Sequence, residues 1–268
     1  MQVERTVGPH SAAPFPVYPD LVGELLAAGA TRHATVAHVL ATCASYCYAD
    51  LQTVATIMAR LGMDGCRCVR IAQSVDAMYI YSSAFLVQSR CGRVAILCYR
   101  GTEPTNLGSW LGDADVGAER LRVASTRAAG ALEVHRGFYR NFRATHWQVL
   151  QELALASRHR LADPDAGVAQ PLEALYVTGH SLGGAMAVLF ALTTVHAELR
   201  GVYTLSRCGP AGGARDRVRR LTSNRRATQD LGGGAGHYSV VTPWKCSLDA
   251  SASAFVTCTV PSSCSGGA

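Results

Sequence analysis

The sequence lacks the features that would place it at once among membrane-spanning, secreted or metal-binding proteins. None of its apolar runs reaches the roughly 18–20 residues that cross a bilayer, so we expect no transmembrane segment. The opening residues 1–10 have no apolar core of a secretion signal, which predicts a cytoplasmic protein. Cys66-Arg-Cys68 is too closely spaced for zinc and has no second ligand pair, so we expect no metal and no cofactor.

Charge is also scarce and unevenly placed. Only 16% of the residues are charged while 49% are apolar, a balance typical of a globular chain with a large core. From Arg207 onward eight basic residues face three aspartates, so most of the net charge of +6 lies in that segment. The rest is nearly neutral, which argues against a nucleic-acid partner. The ten cysteines, in a chain without a secretion signal, are expected to be reduced thiols.

Composition predicts three parts. Residues 1–20 carry four prolines and little periodicity, and are expected to form a loose leader. Residues 21–205 are expected to form the globular domain. Residues 206–268 are basic and rich in Gly and Ser, and are expected to form a poorly ordered C-terminal segment. Binding of anionic lipid or nucleic acid by that segment is the alternative, but its basic run lacks the interleaved aromatics of such a module.

The pattern of apolar residues predicts an α/β fold with helices around a mostly parallel sheet. The stretch from Leu21 to about Leu61 has helical periodicity. Two strands joined by a hairpin follow, and later a strand, a helix and another strand alternate. A long amphipathic helix lies between these regions, with a predicted buried stripe of Phe138, Phe142, Val149, Leu150 and Leu153. The predicted strands are 84–87, 93–99, 174–178 and 201–205, with the hairpin link at 89–92.

The most informative motif is Gly179-His-Ser-Leu-Gly-Gly184, between the strand 174–178 and the apolar helix 185–192. Strand, G-x-S-x-G and helix in this order predict a nucleophile elbow, with Ser181 presented on a tight turn. Side chains on the flanking glycines would collide with the neighbouring strand and helix. The alternative is an ordinary strand-to-helix turn with an idle serine. In an elbow, the backbone N–H of Leu182 is one donor for a developing oxyanion.

Four segments of the chain together resemble the class 3 lipases, the family typified by fungal triacylglycerol lipases. Their order and spacing match over roughly residues 80–205. The segments are Cys98-Tyr-Arg-Gly-Thr102, Trp110-Leu-Gly-Asp113, Val134-His-Arg-Gly-Phe138 and Val177-Thr-Gly-His-Ser-Leu-Gly-Gly184. The resemblance implies an α/β-hydrolase fold.

The resemblance also implies roles for residues outside the elbow. Thr102 would supply the second oxyanion donor from its backbone amide. Residues 106–116 would correspond to a lid, with Leu107, Trp110 and Leu111 as apolar faces toward a lipid surface. The alternative for Trp110 and Leu111 is a short helix packed over the sheet.

A catalytic triad in this family runs Ser, Asp, His along the chain. After Ser181 the histidines are His196, which we place in the helix after the elbow with Glu198, and His237. This leaves His237 as the expected base and Asp216 or Asp230 as the acid, and we take Asp230. His135 and His180 are expected to be structural, since the side chain at the x position of the elbow should point away from the site.

The resemblance weakens after residue 205. Gly209-Pro-Ala-Gly212 only faintly resembles the family's next segment, and no Asp-x-Val-Pro follows. We therefore expect a divergent or displaced C-terminal region and a fold incomplete at that end. The alternative is a genuine but diverged triad loop.

The expected function is that of a serine ester hydrolase, a lipase or esterase that cleaves acyl esters such as acylglycerols. Its partners would be a lipid or small ester substrate and a lipid–water interface. The alternative is a catalytically impaired relative that keeps the core of the fold as a lipid-binding module.

Overall fold

A computed structural model describes residues 1–10, 16–28, 33–76, 80–101, 118–122, 131–158, 170–194 and 196–205. Within these ranges the strands are β1 Gln2–Val7, β2 Arg67–Val75, β3 Ile80–Gln88, β4 Val94–Tyr99, β5 Ala118–Arg122, β6 Ala131–His135, β7 Ala174–His180 and β8 Leu199–Leu205. The helices are α1 Leu21–Ala27, α2 Ala34–Ser45, α3 Leu51–Leu61, α4 Arg136–Ser157 and α5 Leu182–Thr193. The alternation of strands and helices confirms the predicted α/β class.

The central sheet is mixed, which corrects the expectation of a mostly parallel one. Its strand order is β1-β2-β3-β4-β7-β8, and β5 with β6 forms a separate two-stranded sheet. The pairs from β1 to β4 are antiparallel, whereas β4–β7 and β7–β8 are parallel. Short links join β2 to β3 and β3 to β4, and such links permit only antiparallel pairing. The parallel pairs β4–β7 and β7–β8 are joined by crossovers that contain α4 and α5.

The predicted hairpin between β3 and β4 is confirmed. The turn is closed by the Ser89 hydroxyl, which accepts the N–H of Val94 at 3.1 Å, and Gly92 has a φ of 83°. All six residues of β4 are buried. Alternate side chains of this strand enter different core clusters, Ile96 one and Leu97 the other, so helices cover both faces of the sheet.

The stretch from Leu21 to Leu61, predicted to be helical, contains three separate helices. Tyr46–Tyr48 forms a single turn of 3₁₀ helix after α2. The Asp50 carboxylate then accepts the N–H of Thr53 at 2.9 Å and starts α3 as its N-cap. Gly62, with a φ of 122°, ends that helix. The Asp50 cap is a local signal that periodicity alone does not detect.

The expected loose leader contains a strand, so this prediction was wrong for residues 2–7. β1 pairs with β2 along its whole length. The side chain of Arg5 reaches α4 and donates two hydrogen bonds to the Glu152 carboxylate, at 2.6 and 2.8 Å. β1 is an exposed edge strand, so it has little of the apolar content that identifies buried strands in a sequence.

Two apolar layers, one on each face of the sheet, form the core. One layer lies under α1, α2 and α3, and the other under α4 and α5. The predicted stripe of α4 is confirmed for Phe142, Val149 and Leu153, which are buried, while Phe138 and Leu150 are partly buried. Among the described helices, none combines the length and the apolar character needed to cross a membrane.

The expectation that residues 206–268 form a poorly ordered segment lies outside the described residues and stays a prediction. The outer limits of the predicted 21–205 domain stay a prediction too.

Candidate active site

A single strained residue joins β7 to α5. Ser181 has φ 56° and ψ −121°, and it is the one non-glycine residue with positive φ among those the structure describes. Such a conformation costs on the order of 1–3 kcal/mol and persists only where the surroundings enforce it. Ser181 is partly exposed, and its side chain does not cap α5 although it occupies the N-cap position. The hydroxyl is therefore not committed to the helix.

Backbone hydrogen bonds hold this strained turn from both sides. The N–H of Ser181 donates to the carbonyl of Leu205, at the end of β8, over 2.9 Å. The carbonyl of Ser181 accepts the N–H of Gly184 at 3.0 Å and that of Ala185 at 3.3 Å. The turn is thus anchored both to the neighbouring strand and to the first turn of the helix.

The close approach of the helix explains the two glycines that flank the serine. A β-carbon added at Gly179 would overlap the carbonyl group of Gly183. One added at Gly183 would overlap the carbonyl oxygen of Tyr99, at the end of β4. The predicted lack of room for side chains at these positions is confirmed.

The first amide of α5 and the end of β4 lie beside Ser181. Leu182 is the first residue of the helix, where a backbone N–H has no carbonyl partner within its own helix and the helix dipole favours negative charge. A β-carbon added at Gly101 would lie 3.4 Å from the β-carbon of Ser181. Thr102 is the next residue along the chain. It lies outside the described residues, as do Leu107, Trp110 and Leu111, and their predicted roles stay predictions.

The ring of His180 contacts an aromatic side chain that the sequence did not associate with this site. The Tyr48 hydroxyl lies 3.2 Å from Nδ1 of His180, and the two rings form an edge-to-face pair with centroids 6.3 Å apart. The guanidinium of Arg100 lies 5.3 Å from the centre of the Tyr48 ring. Burial raises the pKa of Tyr48 to about 12, so its hydroxyl keeps its proton at neutral pH.

Tyr48 could not be associated with the site from the sequence because 132 positions separate it from His180. His135, the other histidine that was predicted to be structural, is the last residue of β6.

Two buried thiols lie near this cluster. A hydrogen bond with Cys98 lowers the pKa of the Cys47 thiol, while burial raises the pKa of the Cys98 thiol. The six cysteines among the described residues are free thiols, and these residues contain no group of three or more metal-ligating side chains.

The predicted base His237, the predicted acid Asp230 and its alternative Asp216 all lie outside the described residues. Their roles stay predictions.

The structure does describe His196 and Glu198, and it corrects their assignment to the helix after the elbow, because α5 ends at Thr193. Nδ1 of His196 lies 2.6 Å from the Glu198 carboxylate, but the two groups are not aligned for a hydrogen bond. The twelve residues of α5 span about 18 Å, so this pair lies at the opposite end of the helix and cannot serve Ser181.

A strained serine between the carboxyl end of a parallel strand and a helix, in a sheet covered by helices on both faces, defines an α/β-hydrolase. The predicted fold class is thereby confirmed. Within that class, the family described as "Lipase (class 3)" matches residues 96–215, just under half of the chain. All four segments that carry the predicted resemblance lie within this match, and the resemblance to the class 3 lipases is confirmed. The match extends beyond residue 205, where we expected the family pattern to end.

Several solved fungal lipases are similar to the chain. A Rhizomucor miehei lipase propeptide complex is 17% identical, with a TM-score of 0.41, over 63% of this chain and 49% of that one. Lip2 lipase from Yarrowia lipolytica is 23% identical, with a TM-score of 0.37, over 52% and 47%. A triacylglycerol lipase from Penicillium expansum is 19% identical, with a TM-score of 0.34, over 46% and 42%. The chain thus spans about half the length of these lipases. No curated protein sequence matches it.

Proposed function

We propose that this protein hydrolyses carboxylic esters, with acyl esters such as acylglycerols as its substrate class. The observation that carries the proposal is the strained conformation of Ser181, with its hydroxyl not used by the helix that follows. Strain of this kind is retained where a side chain must be presented in one direction, as a nucleophile requires. The class 3 lipase match over residues 96–215 supports an ester as the substrate.

In the proposed reaction, Oγ of Ser181 attacks the ester carbonyl carbon while its proton passes to His237. The backbone N–H groups of Leu182 and Thr102 stabilise the negative oxygen that results. The bond from carbon to the leaving alcohol then breaks, and His237 returns the proton to that alcohol. Water attacks the acyl-enzyme in the same manner and releases the carboxylic acid and free Ser181. Asp230 orients His237, and Leu107, Trp110 and Leu111 face the lipid.

Replacement of the nucleophile tests the proposal directly. We expect Ser181→Ala to lower the hydrolysis of p-nitrophenyl butyrate by at least about 10³-fold, because the residual rate would come from binding and oxyanion stabilisation alone. His237→Ala and Asp230→Asn should each reduce kcat with the fold intact by circular dichroism. Ser45→Ala is the matched control, since that exposed hydroxyl donates to the carbonyl of Ala41 within α2.

Covalent labelling separates an enzyme from the lipid-binding alternative. A fluorophosphonate should add once to the wild-type protein and to Ser45→Ala, and not to Ser181→Ala, as read from intact mass. A folded wild-type protein that neither turns over esters nor accepts the label, yet binds lipid vesicles, would contradict the hydrolase proposal and favour the binding module.

A further inference from the structure

Tyr48 lies where three separate parts of the chain meet beside the candidate nucleophile. It closes the 3₁₀ turn Tyr46–Tyr48 after α2. Its hydroxyl contacts His180, the residue before Ser181 at the end of β7, at 3.2 Å from Nδ1. Its ring lies under the guanidinium of Arg100, which follows β4. One side chain thus touches the ends of both central strands at the edge of the sheet where Ser181 lies.

The hydroxyl of Tyr48 also packs against Gly101. A β-carbon added at Gly101 would lie 2.8 Å from that hydroxyl and would overlap the carbonyl oxygen of His180. Gly101 therefore has no room for a side chain, because the Tyr48 hydroxyl and the carbonyl of His180 both occupy the place where its β-carbon would lie. This close packing sets where the chain leaves β4, and Thr102 is the next residue.

The phenol keeps its proton in this arrangement, because burial raises the pKa of Tyr48 to about 12. The hydroxyl and Nδ1 of His180 share a hydrogen bond in which the tautomer of the ring decides which group donates. The guanidinium over the ring face adds a cation–π attraction that holds Arg100 at the same point.

We propose that Tyr48 is a positioning residue, whose hydroxyl fixes the chain at Gly101 relative to the elbow and so sets the spacing of the two oxyanion donors. The inference rests on the proposed function, because it concerns the same site. Tyr48 does not touch the reacting atoms. Without its hydroxyl, His180 loses this hydrogen bond, and Gly101, one residue before the proposed donor Thr102, loses its contact with Tyr48. A displacement of about 1 Å at such a donor can lower a rate by up to about 10²-fold.

The test compares two tyrosines with the same kind of partner. Tyr18 donates or accepts a hydrogen bond with Nδ1 of His38 at 2.8 Å, in an edge-to-face pair remote from Ser181 in the chain and exposed to solvent. We expect Tyr48→Phe to lower kcat for p-nitrophenyl butyrate by about 10- to 100-fold with KM changed less than about twofold. Tyr18→Phe should keep the wild-type kcat. Both variants should keep the wild-type unfolding midpoint within a few degrees.

A second measurement reads the contact without any turnover. The ¹⁵N shift of Nδ1 in the His180 ring should differ between the wild-type protein and Tyr48→Phe, because the substitution removes the hydrogen bond at that atom. Equal kcat in Tyr48→Phe and wild type overturns the positioning role and leaves the proposed hydrolase intact. Loss of kcat together with a large drop in the unfolding midpoint also overturns it, in favour of a structural role. A wild-type protein without turnover overturns the proposed function itself, while the ring shifts still show whether the contact exists.

Discussion

At the scale of single residues, conformational strain and burial distinguish this site more than residue identity does. The chain contains many serines, but Ser181 is the one non-glycine residue with positive φ among those described. His146 is likewise distinguished by its environment rather than by its residue type. Nδ1 of His146 is buried without a hydrogen-bond partner in the described part of the chain, and the ring packs 4.4 Å from that of Phe142, centroid to centroid.

The buried His146 should make stability depend on pH. Burial holds the pKa of His146 below its ordinary value of 6.5, so the unfolded chain binds more protons than the native protein just below that pH. The free energy of unfolding should therefore fall as pH drops below about 6.5, by at most about 1.4 kcal/mol per pH unit for one proton. His146→Leu should flatten this dependence between pH 5 and 7 in urea titrations.

Trp147→Leu is the control for this prediction, because Trp147 is the next residue on the helix, is 69% exposed and does not titrate. It should keep the wild-type pH dependence. An equal slope in His146→Leu and wild type would show that other groups are responsible.

At the scale of elements, the site is made by the contact of a helix start with two strand ends. The first turn of α5 approaches β4 so closely that Gly183 lies against the carbonyl of Tyr99. Since this backbone contact crosses between elements, neither the strand nor the helix can relax without moving the other.

Gly183→Ala should therefore disrupt the elbow. We expect a loss of about 3 kcal/mol in the free energy of unfolding, because the added carbon meets backbone rather than a movable side chain. Gly184→Ala is the matched control. Its β-carbon would lie 3.2 Å from the Gly179 carbonyl oxygen, and the better helix propensity of alanine offsets that crowding. Its stability should stay within about 1 kcal/mol of wild type by urea denaturation, and equal losses in the two variants would contradict the argument.

At the scale of the whole molecule, the N-terminal strand is tied to a helix much further along the chain. Arg5 and Glu152 are 147 positions apart, and the Glu152 side chain is only 1% exposed. The carboxylate also accepts a hydrogen bond from Gln148 at 2.9 Å. This contact links β1, at the edge of the sheet, to α4, which covers one of its faces.

Removal of one partner from this pair should destabilise the protein. Arg5→Ala leaves the buried Glu152 carboxylate with Gln148 as its remaining described partner, and we expect a loss of about 2–3 kcal/mol. Glu4→Gln is the control, because the Glu4 carboxylate is solvent-exposed and lies 3.8 Å from the guanidinium of the half-buried Arg70. That change should cost less than about 0.5 kcal/mol. Equal urea midpoints for the two variants would show that the N-terminal pair contributes little.

Much of the fold could be predicted where the signal is local. The short apolar runs at 84–87 and 93–99 identified β3 and β4, and the apolar run after Ser181 identified α5. The breaks between α1, α2 and α3 were missed because apolar periodicity continues across them. β1 was missed because an edge strand with exposed side chains has almost no apolar signal. The antiparallel pairing of β3 with β4 followed from their short link, whereas the pairing of β1 with β2 and of β2 with β3 was missed because neither β1 nor β2 was predicted as a strand.

By itself, the sequence determined the elbow. The turn between β7 and α5 requires glycine at 179 and 183, and the order of strand and helix follows from the apolar residues on each side of the motif. It also determined the resemblance to the class 3 lipases, which four short segments carry. Only the tertiary structure decided which residues surround Ser181. Tyr48 reaches His180 from α2, and Gly101 lies beside the serine from the end of β4, through packing between elements distant in the chain. The structure also places His196 after α5 and not within it, because the helix ends at Thr193, and the length of that helix separates His196 from Ser181.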